Sequence, residues 1–395
     1  MEQTPCTQRG QPTRVLYASH WWMEEMMVCV ADHALQRGWH LDFQMCYSGN
    51  IPHGWEGEGI ITTLSGEPVE MASFLKHAGC PAVSLNPNYP QIEVPRVSVD
   101  MEAIGRMAAK HFLDRGFRSF AVYTPHSWFT TELSHTAFTH AVEAAGHAVH
   151  RLCWLQERGS TPDTWLNRQQ WLCHKLNELP MPVAFFSPEA DSLAEFMEAC
   201  SRESISIPDE VATLGLHDSP IFRNCVTVPL SSIAVDYDIQ ARLCCDLLAR
   251  MMTGEPAPSK DFLIPPSGIV TRRSSDTIAA QTPAVSRAIR FMLGHFAEAI
   301  TVDDAVRASG MCRTRLFRAF RQDVEMTPRA VLNRIRLDKA KRMLLETDEK
   351  LRTVAEACGF GDPMNLHRHF KRSLNMSPGA YREQAAHADG EQGGA

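Results

Sequence analysis

The chain has 395 residues, 44% of them apolar, which is enough for two or three domains with their own cores and excludes a disordered or fibrous protein. Its formal net charge of −7 is unevenly spread: residues 283–386 carry 19 Lys and Arg against 12 Asp and Glu, leaving 20 basic against 34 acidic residues elsewhere. A basic segment in an acidic chain excludes a uniformly anionic surface and is the footprint expected where phosphate is bound. The first ten residues hold no apolar signal core, and no run approaches 18 uninterrupted apolar residues, so the expectation is a cytoplasmic protein without a membrane segment. The 12 cysteines are scattered, with no Cys-x-x-Cys and one adjacent pair, Cys244-Cys245, as expected of reduced and mostly buried thiols.

Residues 13–270 alternate short β-rich runs with amphipathic stretches. Strands are predicted at 14–19, 59–62, 82–85, 96–99, 119–123, 183–186 and 211–216, and helices at 23–37, 101–115, 135–145, 192–203 and 239–253. This alternation predicts an α/β domain with parallel sheets and right-handed crossovers. Two such βα lobes with a cleft between them would bind ligand at the carboxyl ends of the strands. Residues 271–283 are polar and poor in structure signals, and read as a linker. Residues 284–384 are helical throughout, and the Gly-, Gln- and Ala-rich residues 385–395 read as a disordered tail.

The helical part contains one module twice. Val306-Arg-Ala-Ser-Gly310, Leu316-Phe-Arg-Ala-Phe320 and Met326-Thr-Pro328 return as Ala355-Glu-Ala-Cys-Gly359, Leu366-His-Arg-His-Phe370 and Met376-Ser-Pro378. One extra residue lies between Gly359 and Leu366, a slip that a turn absorbs without disturbing either helix. An apolar helix, a Gly turn and a second helix with outward Arg is the composition of a helix-turn-helix, and two copies predict a protein that reads double-stranded DNA. Leu316, Ala319 and Phe320 form the buried stripe of the first reading helix and leave Arg313, Thr314, Arg315 and Arg318 outside. In the second, Leu366 and Phe370 turn inward and Asn365, His367 and Arg368 outward. Arg suits guanine and Asn suits adenine. Residues 329–345 read as one connecting helix ~25 Å long, which would hold the two reading helices near successive major-groove faces about 34 Å apart.

On these residues the segment 285–384 resembles the DNA-binding domain of the AraC/XylS transcription regulators. The matching text is Ala355-Glu-Ala-Cys-Gly-Phe360, Leu366-His-Arg-His-Phe-Lys371 and Pro378-Gly-Ala-Tyr-Arg382. The resemblance implies base reading by Arg313, Thr314, Arg318, Asn365, His367 and Arg368. Arg315, Arg321, Lys371 and Arg372 are the expected phosphate contacts. Leu366 stands where the family more often has an aromatic residue, a change of packing.

Residues 13–270 resemble the effector domain of LacI-type repressors, itself similar to periplasmic sugar-binding proteins. The match rests on Gly59-Ile-Ile-Thr62, Pro81-Ala-Val-Ser-Leu85, Val99-Asp100, Lys110-His-Phe-Leu-Asp-Arg-Gly-Phe117, Ile207-Pro-Asp-Glu-Val211 and Gly215-Leu-His-Asp218. A LacI-like sensor ahead of an AraC-type reader is the order of the xylose-operon regulators. The resemblance implies a small polar effector such as a sugar, a homodimer on operator half-sites, and contact with RNA polymerase if the protein activates. Trp21 and Trp22, directly after the first strand, stand where an aromatic platform would cover a sugar ring. Asp100 either touches ligand or caps the helix at Met101. Three anchors of the family have changed together, to Ser134, to Glu189-Ala190 and to His217 before Asp218. Glu189, Asp191 and Asp218 would restore acceptors, and His126, Trp128 and Glu132 lie in the matching second-lobe loop. The expected effector residues are therefore Trp21, Trp22, Asp100, Trp128, Ser134, Glu189, Asp191, His217 and Asp218.

Other readings remain open at this point. The chain has no Gly-x-Gly-x-x-Gly, no phosphate-binding Gly-Lys-[Ser/Thr] loop, no Gly-x-Ser-x-Gly and no His-Glu-x-x-His, so neither an enzyme nor a metal or cofactor site is expected. The Cys244-Cys245 pair would be the element of a redox sensor. A non-sugar ligand or a protein partner would replace the sugar if the altered anchors mean a lost sugar site.

Overall fold

The computed structural model describes residues 12–20, 23–65, 68–126, 128–216 and 227–382. The chain divides into two compact units. The first takes in Met1–Leu113, Ser119–Ile207 and Val211–Asp276, the second Asp114–Arg118, Pro208–Glu210 and Thr277–Ala395.

The first unit opens with β1 (Arg14–Ala18), α1 (Glu24–Gln36), β2 (His40–Asp42), α2 (Gln44–Ser48), β3 (Gly59–Thr62), α3 (Pro68–Ala78) and β4 (Ala82–Ser84). These strands form a parallel sheet in the order β2-β1-β3-β4, with Leu16 opposite Ile60 and Ile61 opposite Val83. Alternate residues feed opposite faces, as the two-residue period of a strand requires. Val15, Tyr17, Ile61 and Val83 pack with Met26 and Val30 of α1, whereas Leu16, Ala18 and Ile60 pack with Met71, Phe74 and Leu75 of α3. A parallel sheet covered on both faces explains why these strands read as nearly continuous apolar runs.

The chain then passes through β5 (Val97–Val99) to α4 (Met101–Leu113), β6 (Ser119–Thr124), α5 (Phe129–Ala144), β7 (Val149–Cys153), α6 (Trp154–Glu157), α7 (Trp165–Glu178), β8 (Val183–Ser187), α8 (Ala190–Arg202), β9 (Val211–Leu216) and β10 (Ser231–Ala234). It returns through α9 (Tyr237–Met252), which adds Ala241, Cys244, Cys245 and Leu248 to the core of the first sheet. β11 (Phe262–Ile264) and β12 (Gly268–Val270) follow. The second sheet has the order β12-β10-β9-β8-β6-β7, parallel except where β12 runs against β10, and β5 and β11 form a two-stranded parallel sheet whose Val97 and Ile264 join the core of the first sheet. The two-lobed α/β class read from the sequence is the architecture found. The strands β2, β7, β10, β11 and β12 are additional to those predicted; most are partly exposed and interrupted by polar residues, as in His40-Leu-Asp42 and Val149-His-Arg-Leu-Cys153, and so lack the continuous apolar run of the buried strands.

The segment 271–283, read as a linker, is divided between the two units at Asp276 and Thr277. Ser274 and Ser275 are fully buried in the first unit. Ser274 Oγ accepts from the Ser231 amide at 2.9 Å and donates to the Thr213 carbonyl at 2.7 Å, and Ser275 Oγ donates to Ser231 Oγ at 2.8 Å. Ile278 and Ala280 are core residues of the second unit. A serine-rich composition suggests a solvated loop only while its hydroxyls lack buried partners.

The second unit contains α10 (Pro283–His295), α11 (Val302–Ser309), α12 (Arg313–Asp323), α13 (Pro328–Glu346), α14 (Leu351–Ala357) and α15 (Pro363–Leu374), and residues 378–382 are again helical. Its starts are written in the sequence: a Thr301/Asp304 capping box, Thr327 ahead of Pro328, and Asp362 ahead of Pro363. Two cores lie along α13. Val331, Leu332 and Ile335 pack with Leu316 and Phe320, and Leu337, Ala340 and Leu344 pack with Val354, Leu366 and Phe370. Among the described residues, no helix is long and apolar enough to cross a membrane.

Candidate nucleic-acid interface and effector cleft

Each helix-turn-helix turns on a left-handed glycine, Gly310 at φ 72° and Gly359 at φ 74°. The extra residue of the second module is accommodated by Gly361, also left-handed at φ 80°. Gly359 is fixed by space as well, since a Cβ there would lie 2.1 Å from the Phe296 carbonyl oxygen. Arginines hold the approaches. Arg336 donates to the carbonyls of Phe296 and Glu298, both at 2.8 Å, and Arg382 donates to those of Leu344 at 3.2 Å and Glu349 at 2.6 Å.

On α12 the stripe Leu316, Ala319 and Phe320 is buried and Arg313, Thr314, Arg315, Arg318 and Arg321 are exposed, the division read from the sequence. The Arg313 guanidinium pairs with Asp303 and lies 5.2 Å from the centre of the Phe317 ring. On α15 Leu366 and Phe370 are fully buried, and His367, Arg368, Lys371 and Arg372 are exposed. Burial, together with the charges of Arg372, Arg368, Arg329 and Arg336, holds the His369 imidazole below its ordinary value, a sign of the positive potential around this helix.

Asn365 departs from the expectation of an adenine reader. Its side-chain nitrogen donates to Asp362 at 2.8 Å and to the Phe360 carbonyl at 3.3 Å, while its oxygen accepts from Arg368 at 3.0 Å. Bidentate recognition of adenine takes one donor and one acceptor of the amide; the oxygen keeps a second lone pair, but both N–H donors are engaged within the helix and its cap and one would have to change partner. The sequence showed an outward Asn but not the Asp362 that caps the helix and turns the amide.

In the first unit, polar residues follow the carboxyl ends of the parallel strands in both lobes, the end of the sheet where such folds bind ligand. From the first lobe come Ser19 after β1, Thr63 and Ser65 after β3, and Asn86 and Asn88 after β4. Thr63 Oγ1 donates to Ser19, Ser65 Oγ to the Thr63 carbonyl at 3.0 Å, and Asn86 Nδ2 to the Leu64 carbonyl at 3.3 Å. The Asn86 Oδ1 atom is buried without a hydrogen-bond partner. From the second lobe come Thr124, Thr131 and Ser187. The lobes meet where the amide of Thr130, in the first turn of α5, donates to Asn88 Oδ1 at 3.2 Å. Of this set the sequence reading named none, although a polar residue closing each strand was the available signal.

Glu189 lies two residues past β8, at the N-cap of α8. Its carboxylate accepts from the hydroxyls of Thr131 and, at 3.1 Å, Ser192, and burial pushes its pKa up to about 7. Asp191 is exposed and accepts from the Ser192 amide at 2.8 Å. Trp128 stands at the N-terminus of α5, with its carbonyl bonded to the Glu132 amide at 3.1 Å. Asp100 caps α4, accepting from the Ala103 amide at 2.8 Å, so the capping alternative is the one observed. Ser134 is not in the cleft. It is fully buried where α5 crosses α4, and a Cβ on Gly105 would lie 2.1 Å from its carbonyl oxygen. Helix phase, which alignment of residue types ignores, sends it to the packed face. Trp21, Trp22, His217 and Asp218 lie outside the described residues. Cys244 and Cys245 are buried, and burial raises both thiols, that of Cys245 to about 12, which disfavours the thiolate that redox exchange needs.

Comparison with known proteins agrees with both units. Residues 109–275 match the model of a periplasmic binding protein-like domain and residues 305–384 that of a helix-turn-helix domain. The chain is 24% identical over 390 residues to the xylose operon regulatory protein of Escherichia coli K12, covering 95% of this chain and 98% of that one. It is 22% identical over 333 residues to the protein of the same name from Haemophilus influenzae, covering 82% and 84%. The solved structure of the xylose-binding transcription activator XylR has the same fold, with a TM-score of 0.60 at 21% identity over 94% of this chain and 98% of that one.

Proposed function

We propose that this chain, built like the xylose operon regulatory proteins from a periplasmic-binding-protein-like sensor and an AraC-type reader, is a sequence-specific DNA-binding transcription regulator controlled by a small polar effector such as a sugar. The observation that carries the reading is the pair of helices α12 and α15, each with a buried Leu–Phe stripe and an exposed row of arginines, set on either half of α13. Arg313, Thr314, Arg318, His367 and Arg368 are the base readers, and Arg315, Arg321, Lys371 and Arg372 hold phosphate. Asn365 positions Arg368.

The effector binds between the lobes, against Asn86, Asn88, Thr131 and Glu189, and favours a closed sensor. That shift changes how two protomers present their readers to neighbouring operator half-sites in the cytoplasm, and as an activator the dimer would engage RNA polymerase. The protein has no catalytic role in this scheme. Glu189 favours a second reading, a non-sugar ligand, because a buried carboxyl group beside Thr131 would pair with a cationic group such as an amine. A thermal-shift screen against pentoses, hexoses, sugar acids, polyols and amines separates the two. A ligand at 100 times its Kd adds ~2.7 kcal/mol of stability. A sugar hit supports the first reading, an amine hit the second, and a flat screen overturns control by either.

A further inference from the structure

Alignment of the modules on Leu316 and Leu366 sets Met364 opposite Thr314, a position expected to read bases. Met364 lies in the first turn of α15 and is 72% exposed, a large apolar side chain left in solvent on an otherwise cationic face. Counting along the helix, Met364, His367, Arg368 and Lys371 stand at i, i+3, i+4 and i+7, one stripe opposite the buried Leu366 and Phe370. The residues of a reading helix that reach base edges are those of its N-terminal turns. There the major groove offers one apolar feature, the C5 methyl group of thymine.

We propose that Met364 reads a thymine, its side chain packing on the C5 methyl group next to the base contacted by Arg368. The proposal rests on α15 entering the major groove. An unbranched thioether suits the task because it reaches past the helix backbone and adapts its torsions to the methyl position. Thr314, with a single methyl, does a smaller version of the same in the first module.

The test uses the full-length protein and a DNA site selected from a random pool, with each thymine replaced singly by uracil, which removes only the methyl group. At one thymine the replacement should weaken the parent about fourfold, the effect of one buried methyl. Met364→Ala should bind both versions alike at that thymine, and Met364→Leu should keep the difference. Equal thermal midpoints for the parent and both variants show that the fold is intact. If no thymine is sensitive, or every sensitive thymine remains so in Met364→Ala, the proposal is overturned. Arg368→Ala separates the causes: if it also leaves every base preference unchanged, α15 does not read DNA, whereas loss of one guanine preference confines the failure to Met364.

Discussion

Asn365 Oδ1 accepts a hydrogen bond from Arg368 Nη1 at 3.0 Å, with the amide nitrogen of Asn365 anchored on the Asp362 carboxylate at 2.8 Å. A guanidinium held in this way loses less side-chain entropy when it meets a base. Asn365→Ala should therefore weaken specific binding by about 1 kcal/mol while leaving the preferred sequence intact. Arg368→Ala should cost ~1–3 kcal/mol and relax one guanine position. Selection from a random DNA pool with each variant distinguishes them. A changed consensus with Asn365→Ala would make it a reader after all.

Lys371 and Arg372 are exposed at the C-terminal half of α15, past the base readers proposed above. Replacing either with Ala should weaken every DNA sequence alike and lower the slope of log affinity against log salt by about one. Titrations at several salt concentrations on specific and random DNA measure both effects. An unchanged slope would remove the residue from the phosphate contacts.

The glycines of the two turns should not be equivalent. Gly310→Ala meets only its unfavourable left-handed backbone, since the nearest heavy atom to the new Cβ is Arg287 at 3.7 Å, and should cost about 1 kcal/mol. Gly359→Ala adds a clash with the Phe296 carbonyl and Arg336, so the cost should be about 3 kcal/mol or more. Urea unfolding of the two variants checks the order.

Glu189 binds its proton more tightly in the folded protein than in the unfolded chain, because burial pushes its pKa up to about 7 from an ordinary value near 4.5. Its contribution to stability is therefore fully present below about pH 4.5 and lost as pH rises through about 7. Glu189→Gln should relieve the cost of burying the charge and be more stable than the parent at pH 8, by on the order of 2 kcal/mol, with little difference at pH 5. Thermal unfolding at the two pH values tests this. A difference that does not change with pH would place the ionised carboxylate in solvent.

The amino-acid sequence by itself determined the reader. Gly310, Leu316, Phe320 and Pro328 recur as Gly359, Leu366, Phe370 and Pro378 because a helix-turn-helix is made by contacts between residues close in the chain, so its signals lie within a few turns. The α/β sensor was legible for the same reason, each buried strand being a local apolar run. The tertiary structure alone decided the cleft. Ser19, Thr63, Asn86 and Asn88 follow strands of the first sheet, and Thr131 and Glu189 stand at the starts of α5 and α8; residues this far apart in sequence are linked only through contacts such as Ser19–Thr63, Asn88–Thr130 and Thr131–Glu189. It also decided that Ser134 turns into the α4–α5 contact, that Ser274 and Ser275 are core hydroxyls and not linker, and that Asn365 faces Arg368. Residue type fixes what a polar side chain can bond to. Which partner it finds depends on helix phase and on elements brought together from distant parts of the chain.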